Sequence, residues 1–197
     1  MLSIILPNHK EENVHAFIEE IQSILPVSEI IVSNDTESKG KGWAIREALS
    51  LATGEKIAFL DADGDIEARM LLRLLPFLDD FDVVVGSKRI TKSPLRRKVM
   101  THVTRIWFRF LFGLKVDTQT GIKLFRRRAL EGVNYFWNAD SFIFDMELIA
   151  SLQAKGFRMI EVPVEVEIKK QLAFKTIFKM TWESACLKWR MLWTKYI

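Results

Sequence analysis

The spacing of apolar residues predicts short strands that alternate with amphipathic helices. Apolar runs of about four to eight residues are typical of buried strands, whereas apolar positions three or four residues apart indicate one face of a helix. The predicted elements of the first half are strand Leu2–Leu6, helix Glu11–Leu25, strand Glu29–Val32, helix Gly42–Ala52, strand Lys56–Leu60, helix Ile66–Leu78 and strand Asp82–Gly86. Because helices separate consecutive strands, we expect an α/β fold with a mostly parallel sheet covered on both faces.

The second half of the chain carries a less regular pattern. Its predicted elements are a basic, aromatic-rich helix Leu95–Phe112, a strand Ile122–Phe125, a helix Ser141–Lys155 and a strand Phe157–Glu167. We therefore divide the chain into a folded domain over residues 1–167 and an amphipathic C-terminal segment over residues 168–197.

The C-terminal segment combines aromatic and basic residues at helical spacing. On a helical wheel, one face collects Phe178, Trp182, Ala185, Trp189, Leu192 and Tyr196, with lysines on both borders. This pattern is typical of a helix that lies at a membrane interface, where aromatic rings reach headgroup depth and lysines face anionic lipid. The alternative is that this helix and helix Leu95–Phe112 pack on the sheet or on a second subunit.

The net charge of +4 is unevenly distributed. No Asp or Glu occurs between Val83 and Val116, whereas nine Lys or Arg residues do. Such a block suggests an anionic partner, which is a phosphate group, a membrane surface or a nucleic acid. The single cysteine, Cys186, precludes an intramolecular disulfide and fits a reducing compartment, so we expect a cytoplasmic location.

Three aspartates follow the third predicted strand. Asp61, Asp63 and Asp65 lie where ligands bind in open α/β sheets, beyond the carboxyl end of a strand. Carboxylates this close repel one another unless a cation neutralises them, and hard oxygen ligands suit Mg²⁺ or Mn²⁺. Asp and Gly are also common in solvated turns, so the turn by itself leaves both interpretations open.

Several segments share their order and spacing with a known family. They are Ile5-Leu6-Pro7 with Glu11, Glu29-Ile-Ile-Val-Ser-Asn-Asp35, Gly40-Lys41-Gly42, Phe59-Leu-Asp-Ala-Asp63, Val84-Val-Gly-Ser-Lys88, Asp117-Thr-Gln-Thr-Gly-Ile-Lys-Leu-Phe-Arg126, Phe144-Asp-Met-Glu147 and Glu161-Val-Pro-Val164. Together they resemble the family 2 glycosyltransferases of the GT-A fold, and most closely the dolichol-phosphate mannosyltransferase-like branch. Asn34 departs from the pattern, since the family usually has an aspartate there.

The resemblance implies roles for matching positions. Asp61, Asp63 and Asp65 would hold a divalent metal on the nucleotide diphosphate. The nucleotide sugar would be bound by Pro7, Glu11, Asn34, Asp35, Lys41, Asp61 and Gln119. The acceptor phosphate would be bound by Lys88, Arg89, Arg97, Thr101 and Arg126. The residues expected to act in transfer are Asp63, Lys88, Arg97 and Asp117.

The expected activity is metal-dependent transfer of a hexose from a nucleotide sugar to a polyprenyl or dolichyl phosphate. Mannose from GDP-mannose is the family's leading precedent, followed by glucose from UDP-glucose. A lipid acceptor would place the enzyme peripherally on the cytoplasmic face of a membrane. One alternative is a family 2 transferase with a soluble or glycan acceptor. Another is a non-catalytic module that binds phosphate or nucleic acid, but clustered carboxylates repel a polyanion, so we expect no nucleic acid partner.

Overall fold

The computed structural model of the protein describes residues 1–8, 14–34, 39–90, 103, 106–116, 118, 120–133, 143–166 and 181–189, with only the backbone given at 88–90. The strands are β1 Leu2–Asn8, β2 Glu29–Asn34, β3 Lys56–Leu60, β4 Val83–Ile90, β5 Ile122–Arg126 and β6 Met159–Val166. The helices are α1 Val14–Ile24, α2 Lys41–Leu51, α3 Met70–Leu74, α4 over residues 106–112, α5 Arg127–Gly132, α6 Phe144–Ala154 and α7 over residues 181–189.

The six strands form one sheet in the order β2-β1-β3-β5-β4-β6. β1 pairs in parallel with β2 and β3, and β4 pairs in parallel with β6. β5 lies between β3 and β4 and is antiparallel to both. Five strands therefore end at the same edge, which we call the carboxyl edge, and β5 begins there. The predicted mostly parallel α/β sheet is confirmed.

Alternating side chains of the strands divide the core into two layers, because successive residues of a strand face opposite sides. One layer contains Ile57, Phe59 and Phe125, and it packs against α2 and α6. The other layer contains Ala58 and Leu60, together with the apolar faces of α1 and α3. Helices on both faces of the sheet explain why the strands read as nearly continuous apolar runs.

Some predicted boundaries differ from the structure. The predicted helix Ile66–Leu78 is a short α3 that continues as a 3₁₀ helix over Leu75–Asp79. Pro76 lies in the first turn of the 3₁₀ helix, and its missing amide hydrogen interrupts the α-helical bonding. Within the predicted helix Leu95–Phe112, residue 103 and residues 106–112 are helical, and the other positions lie outside the described residues. The short helix α5 has no counterpart among the predicted elements.

Candidate active site at the carboxyl edge

Asp61 leaves the carboxyl end of β3 beside the first residues of β5. Its backbone N–H donates a hydrogen bond to the carbonyl oxygen of Gly121, at 2.9 Å. A Cβ atom added to Gly121 would collide with the Asp61 carboxylate, first with Oδ2. Glycine at position 121 therefore lets the Asp61 side chain lie directly against the β5 backbone.

Lys41 reaches the same carboxylate from the first residue of α2. Its Nζ atom lies 2.8 Å from Asp61 Oδ1 and 3.1 Å from Asp145 Oδ2. Gly40 precedes the helix with φ of 107°, a left-handed conformation that favours glycine, and so directs the chain into α2 at this point. One ammonium group thus bridges carboxylates from β3 and from the first turn of α6.

Asp145 is also paired with a second lysine. Lys123 Nζ lies 2.9 Å from Asp145 Oδ1, and it donates a hydrogen bond of 2.7 Å to the carbonyl oxygen of Thr120. Lys123 is only 1% exposed, in the middle of the sheet between β3 and β4. We refer to Lys41, Asp61, Lys123 and Asp145 as the charged cluster; its two positive and two negative side chains balance.

Two opposing effects set the pKa values of the charged cluster. Burial disfavours the charged form of each group, and pairing with an opposite charge favours it. Burial alone would raise the pKa of Asp145, but Lys123 and Lys41 outweigh it and hold that pKa below its usual range. Burial alone would lower the pKa of Lys41, but Asp145 and Asp61 together raise it. For Lys123, burial wins over the attraction of Asp145, and the pKa is lowered. Asp145 and Lys41 are therefore a charged pair at neutral pH.

The turn after Asp61 brings a second carboxylate to the edge. Gly64 adopts φ of 71°, and Asp63 Oδ1 accepts a hydrogen bond of 3.1 Å from the backbone N–H of Asp65. The Asp61 side chain is 31% exposed, so its carboxylate is accessible from outside the protein. Carboxylate oxygens suit Mg²⁺ or Mn²⁺, and Mg²⁺ usually takes one or two protein carboxylates together with substrate phosphates. The donor set of Asp61 and Asp63 therefore fits such an ion.

The third predicted metal ligand, Asp65, gains no support from the structure. Within the described parts of the chain, no group of three or more His, Cys, Asp or Glu side chains is arranged to hold a metal ion. The contact seen for Asp65 uses its backbone N–H, which supports the Asp63 carboxylate. Asp61, Asp63 and Asp65 therefore all remain predicted metal ligands.

Two predicted nucleotide-binding positions also lie at the carboxyl edge. Pro7 pairs with Ser33 near the ends of β1 and β2, and Asn34 is the last residue of β2. Asn8 donates a side-chain hydrogen bond of 2.8 Å to Asn34 Oδ1. Sequence reasoning assigned no role to Asn8, although its position directly after Pro7, at the end of a buried strand, was a usable signal.

Several predicted site residues cannot be placed relative to this cluster. Outside the described residues lie Glu11, Asp35, Arg97, Thr101, Asp117 and Gln119. For Lys88 and Arg89 only the backbone is described, in the last residues of β4 near the carboxyl edge.

The structure contradicts the role predicted for Arg126. It was predicted to bind the acceptor phosphate, but it pairs with Lys56 at the opposite end of β3 from Asp61. There its guanidinium donates hydrogen bonds to the carbonyl oxygens of Leu78 and Asp79. The antiparallel direction of β5 is the physical reason, since it carries Arg126 away from the edge where Gly121 meets Asp61.

The family model of glycosyl transferase family 2 matches residues 3–133, which is more than half of this chain. The chain belongs to glycosyl transferase family 2. The predicted family and enzyme class are thereby confirmed.

Curated relatives of this family 2 transferase include enzymes named for dolichyl phosphate. The dolichyl-phosphate beta-glucosyltransferase of Homo sapiens is 29% identical over 162 residues, which cover 73% of this chain and 50% of the human protein. The glycosyltransferase AglD of Haloferax volcanii is 27% identical over 207 residues, which cover 85% of this chain and 33% of AglD. The chain thus spans between a third and a half of the length of these two relatives, and the predicted branch is confirmed as a relationship.

Solved structures confirm the GT-A fold. The glucosyl-3-phosphoglycerate synthase of Mycobacterium tuberculosis, crystallised with Mn²⁺, UDP and phosphoglyceric acid, superposes with a TM-score of 0.74 at 18% identity. The match covers 94% of this chain and 76% of that one. The same enzyme has also been crystallised with Mg²⁺ and UDP. At this identity the likeness concerns the fold alone.

Sequence reasoning assigned no role to two members of the charged cluster in this transferase. Asp145 lies in the segment Phe144-Asp-Met-Glu147, which resembles the family but received no functional role, and Lys123 lies inside a predicted strand. A usable signal was the lysine itself, between Ile122 and Leu124, because a lysine is almost never fully buried unless it is paired. Its partner could not be read from the sequence, since α6 is far along the chain.

Helices α4 and α7 form a second feature of the protein. Trp107 Nε1 donates a hydrogen bond of 3.2 Å to Ser184 Oγ, and Leu187 is buried in the core layer of α2 and α6. The opposite face of α7 is exposed, with Trp182 at 67% and Trp189 at 66%. One face of α7 therefore packs on the domain, as the packing alternative predicts, whereas docking of the exposed aromatic face on a membrane remains a prediction. Over the described residues, no helix has the length and apolar character needed to cross a membrane.

Proposed function

We propose that this family 2 transferase moves a hexose from a nucleotide diphosphate sugar to a polyprenyl or dolichyl phosphate, with a divalent metal ion. The observation that carries the proposal is the Asp61 carboxylate, which is held by Lys41 and Gly121 at the carboxyl edge with Asp63 two residues away. The acceptor class comes from relatives that are named dolichyl-phosphate beta-glucosyltransferases.

Asp61 and Asp63 would hold Mg²⁺ or Mn²⁺ beside the nucleotide diphosphate. When bound, the ion stabilises negative charge on the departing nucleoside diphosphate. Lys41 adds a positive charge within 2.8 Å of Asp61, and Pro7 and Asn34 border the place where the nucleoside would lie. A phosphate acceptor is already an anion, so transfer requires no strong general base. The residues predicted to contact the sugar and the acceptor phosphate remain Lys88, Arg89, Arg97, Thr101, Asp117 and Gln119.

Glucose from UDP-glucose is the donor we propose first. The resemblance of sequence motifs ranked mannose from GDP-mannose ahead of it, but several curated relatives are named beta-glucosyltransferases. Since the two donors differ in both base and sugar, a donor panel separates them directly.

Peripheral attachment to a membrane is part of the same proposal. A polyprenyl acceptor is insoluble, so the active site has to work at a lipid surface. The exposed aromatic side chains Phe110, Trp182 and Trp189 suit the headgroup region of a bilayer. We propose that this surface is on the cytoplasmic face.

The decisive experiment measures transfer of radiolabelled sugar into butanol-extractable lipid. Purified protein is mixed with polyprenyl phosphate in vesicles, UDP-glucose or GDP-mannose, and Mg²⁺ or Mn²⁺. We expect labelled lipid with one donor, and its loss when Asp63→Ala is used or the metal is chelated. Asp79→Asn is the matched control, because Asp79 is an exposed aspartate far from the carboxyl edge.

Each alternative result has a defined meaning. Metal-dependent nucleotide binding with label only in a water-soluble product, for example with 3-phosphoglycerate as acceptor, would replace the lipid acceptor by a soluble one. Absence of any nucleotide binding would refute the enzymatic proposal itself.

A further inference from the structure

A buried ion pair lies directly behind the proposed metal site and has no part in the chemistry described above. Lys123 and Asp145 are both buried, and they pair with each other at 2.9 Å. Burying two charges is costly, and well-packed apolar side chains of similar volume often stabilise a fold equally well or better. Fold stability alone therefore does not explain why a lysine occupies this position in the central strand β5.

We infer that Lys123 and Asp145 are positioning residues, which orient the Asp61 carboxylate through Lys41 before the nucleotide sugar binds. The inference rests on the proposed function, because it concerns the same metal and nucleotide site. Neither residue contacts the reacting groups, so neither is a catalytic residue.

The contacts form a closed circuit through four elements of the fold. Asp145 forms an ion pair with each lysine, with Oδ1 lying 2.9 Å from Lys123 Nζ and Oδ2 lying 3.1 Å from Lys41 Nζ. Lys41 then reaches Asp61 Oδ1. In the other direction, Lys123 is tied to the Thr120 carbonyl, and the next residue, Gly121, accepts the backbone hydrogen bond of Asp61.

This circuit restrains both oxygens of the Asp61 carboxylate. Oδ1 is restrained by the Lys41 ammonium, and Oδ2 lies against Gly121, where a larger residue has no room. A lysine side chain has a long flexible stem, and Asp145 contacts both the Lys41 and the Lys123 ammonium groups and so offsets the repulsion between them. Fixing the carboxylate in advance lowers the cost of organising the site when metal and nucleotide bind.

The test measures binding and does not depend on turnover. The double variant Lys123→Met with Asp145→Asn removes one charge of each sign and leaves the Lys41–Asp61 pair. By isothermal titration calorimetry, we expect the Kd of Mn²⁺ with UDP or GDP to rise about 10-fold to 100-fold, the usual effect of losing a residue that supports a metal ligand. KM for the nucleotide sugar should rise, while KM for the acceptor should stay within about twofold.

A second variant approaches Asp61 from the other side. Gly121→Ala places a methyl group against Oδ2 and leaves both lysines intact. We expect a rise in Kd of similar size, so the inference remains testable if the double variant folds poorly. Restoring the charges as Lys123→Arg with Asp145→Glu should recover part of the affinity.

The matched control removes an ion pair at the other end of the sheet. Asp82→Asn with Arg128→Met should lower the melting temperature and leave the Kd unchanged. A Kd in the folded Lys123→Met with Asp145→Asn variant equal to that of wild type would overturn the inference and leave the proposed function intact. If wild-type protein bound no metal–nucleotide complex at all, the proposed function and the inference would fall together.

Discussion

Charged side chains of the same types have different surroundings at the two ends of the sheet. At the end opposite the carboxyl edge, three consecutive arginines lie where β5 ends and α5 begins. Arg126 and Arg127 donate to backbone carbonyl oxygens of Leu78, Asp79, Ala52 and Gly54, and Arg128 pairs with Asp82. Their cationic groups are used to close loops of the protein itself.

At the carboxyl edge, in contrast, the charged cluster leaves one carboxylate partly exposed. The Asp61 side chain is 31% exposed, whereas the Asp82 side chain is 8% exposed. Asp82 also accepts a hydrogen bond of 3.0 Å from the backbone N–H of Arg158, so the protein surrounds it. Pairing alone therefore does not distinguish the proposed active site; the partly exposed Asp61 carboxylate beside buried, paired charges does.

The largest effect should come from Asp61→Asn. Loss of this carboxylate removes a proposed metal ligand and the partner of Lys41, and we expect transfer to fall on the order of 100-fold to 1000-fold. The free energy of unfolding in urea should change far less than for Asp82→Asn, because Asp61 is partly exposed. Transfer at the wild-type rate would mean that the Asp61 carboxylate has no role in transfer, and the proposed difference between the two ends of the sheet would be wrong.

The next effect is on stability, from Asp82→Asn. Burial alone would raise the pKa of Asp82, but the hydrogen bonds from Arg128 and from the Arg158 backbone outweigh it and hold the pKa below its usual range. We expect a loss of about 1–3 kcal/mol in the free energy of unfolding at pH 7, with transfer per folded molecule unchanged.

The pH dependence of this variant follows from the sign of the shift. Because the folded pKa is depressed, the contribution of Asp82 is present above about pH 4 and disappears as pH falls through the folded value. The stability difference between wild type and Asp82→Asn should therefore shrink below about pH 4 in urea titrations. A difference that stayed constant from pH 6 to pH 3 would contradict the assignment.

Arg126→Met should give a smaller effect that tests the corrected role of Arg126. Loss of its hydrogen bonds to Leu78 and Asp79 should cost about 1 kcal/mol of stability in urea denaturation. KM for polyprenyl phosphate should not change, since Arg126 lies at the other end of the sheet. A large rise in that KM would restore Arg126 to the acceptor site.

The smallest effect should come from Asp79→Asn. Asp79 pairs with Lys56 at 3.0 Å, but the two side chains are 73% and 38% exposed, and exposed pairs contribute little. We expect a change within about 0.5 kcal/mol in the free energy of unfolding and none in transfer. A loss of stability as large as that of Asp82→Asn would mean that side-chain exposure does not distinguish weakly stabilising ion pairs from strongly stabilising ones.

Much of this fold could be predicted because its signals are local. The predicted bounds of Lys56–Leu60 match β3, since an apolar run between Gly54 and Asp61 has distinct ends. The position of Asp61 and Asp63 after that strand follows from the same pattern. Two local features were nevertheless missed, the break of the predicted helix Ile66–Leu78 at Pro76 and the separate helix α5.

The sequence by itself determined the strand order along the chain, the acidic turn after β3 and the family to which the protein belongs. Only the tertiary structure decided what surrounds Asp61. β5 enters between β3 and β4 in the reverse direction, which places Gly121 against Asp61 and carries Arg126, five residues on, roughly 16 Å away at about 3.3 Å per residue. α6 brings Asp145 to Lys41 and Lys123. Such contacts join residues far apart in the chain, and only packing brings them together.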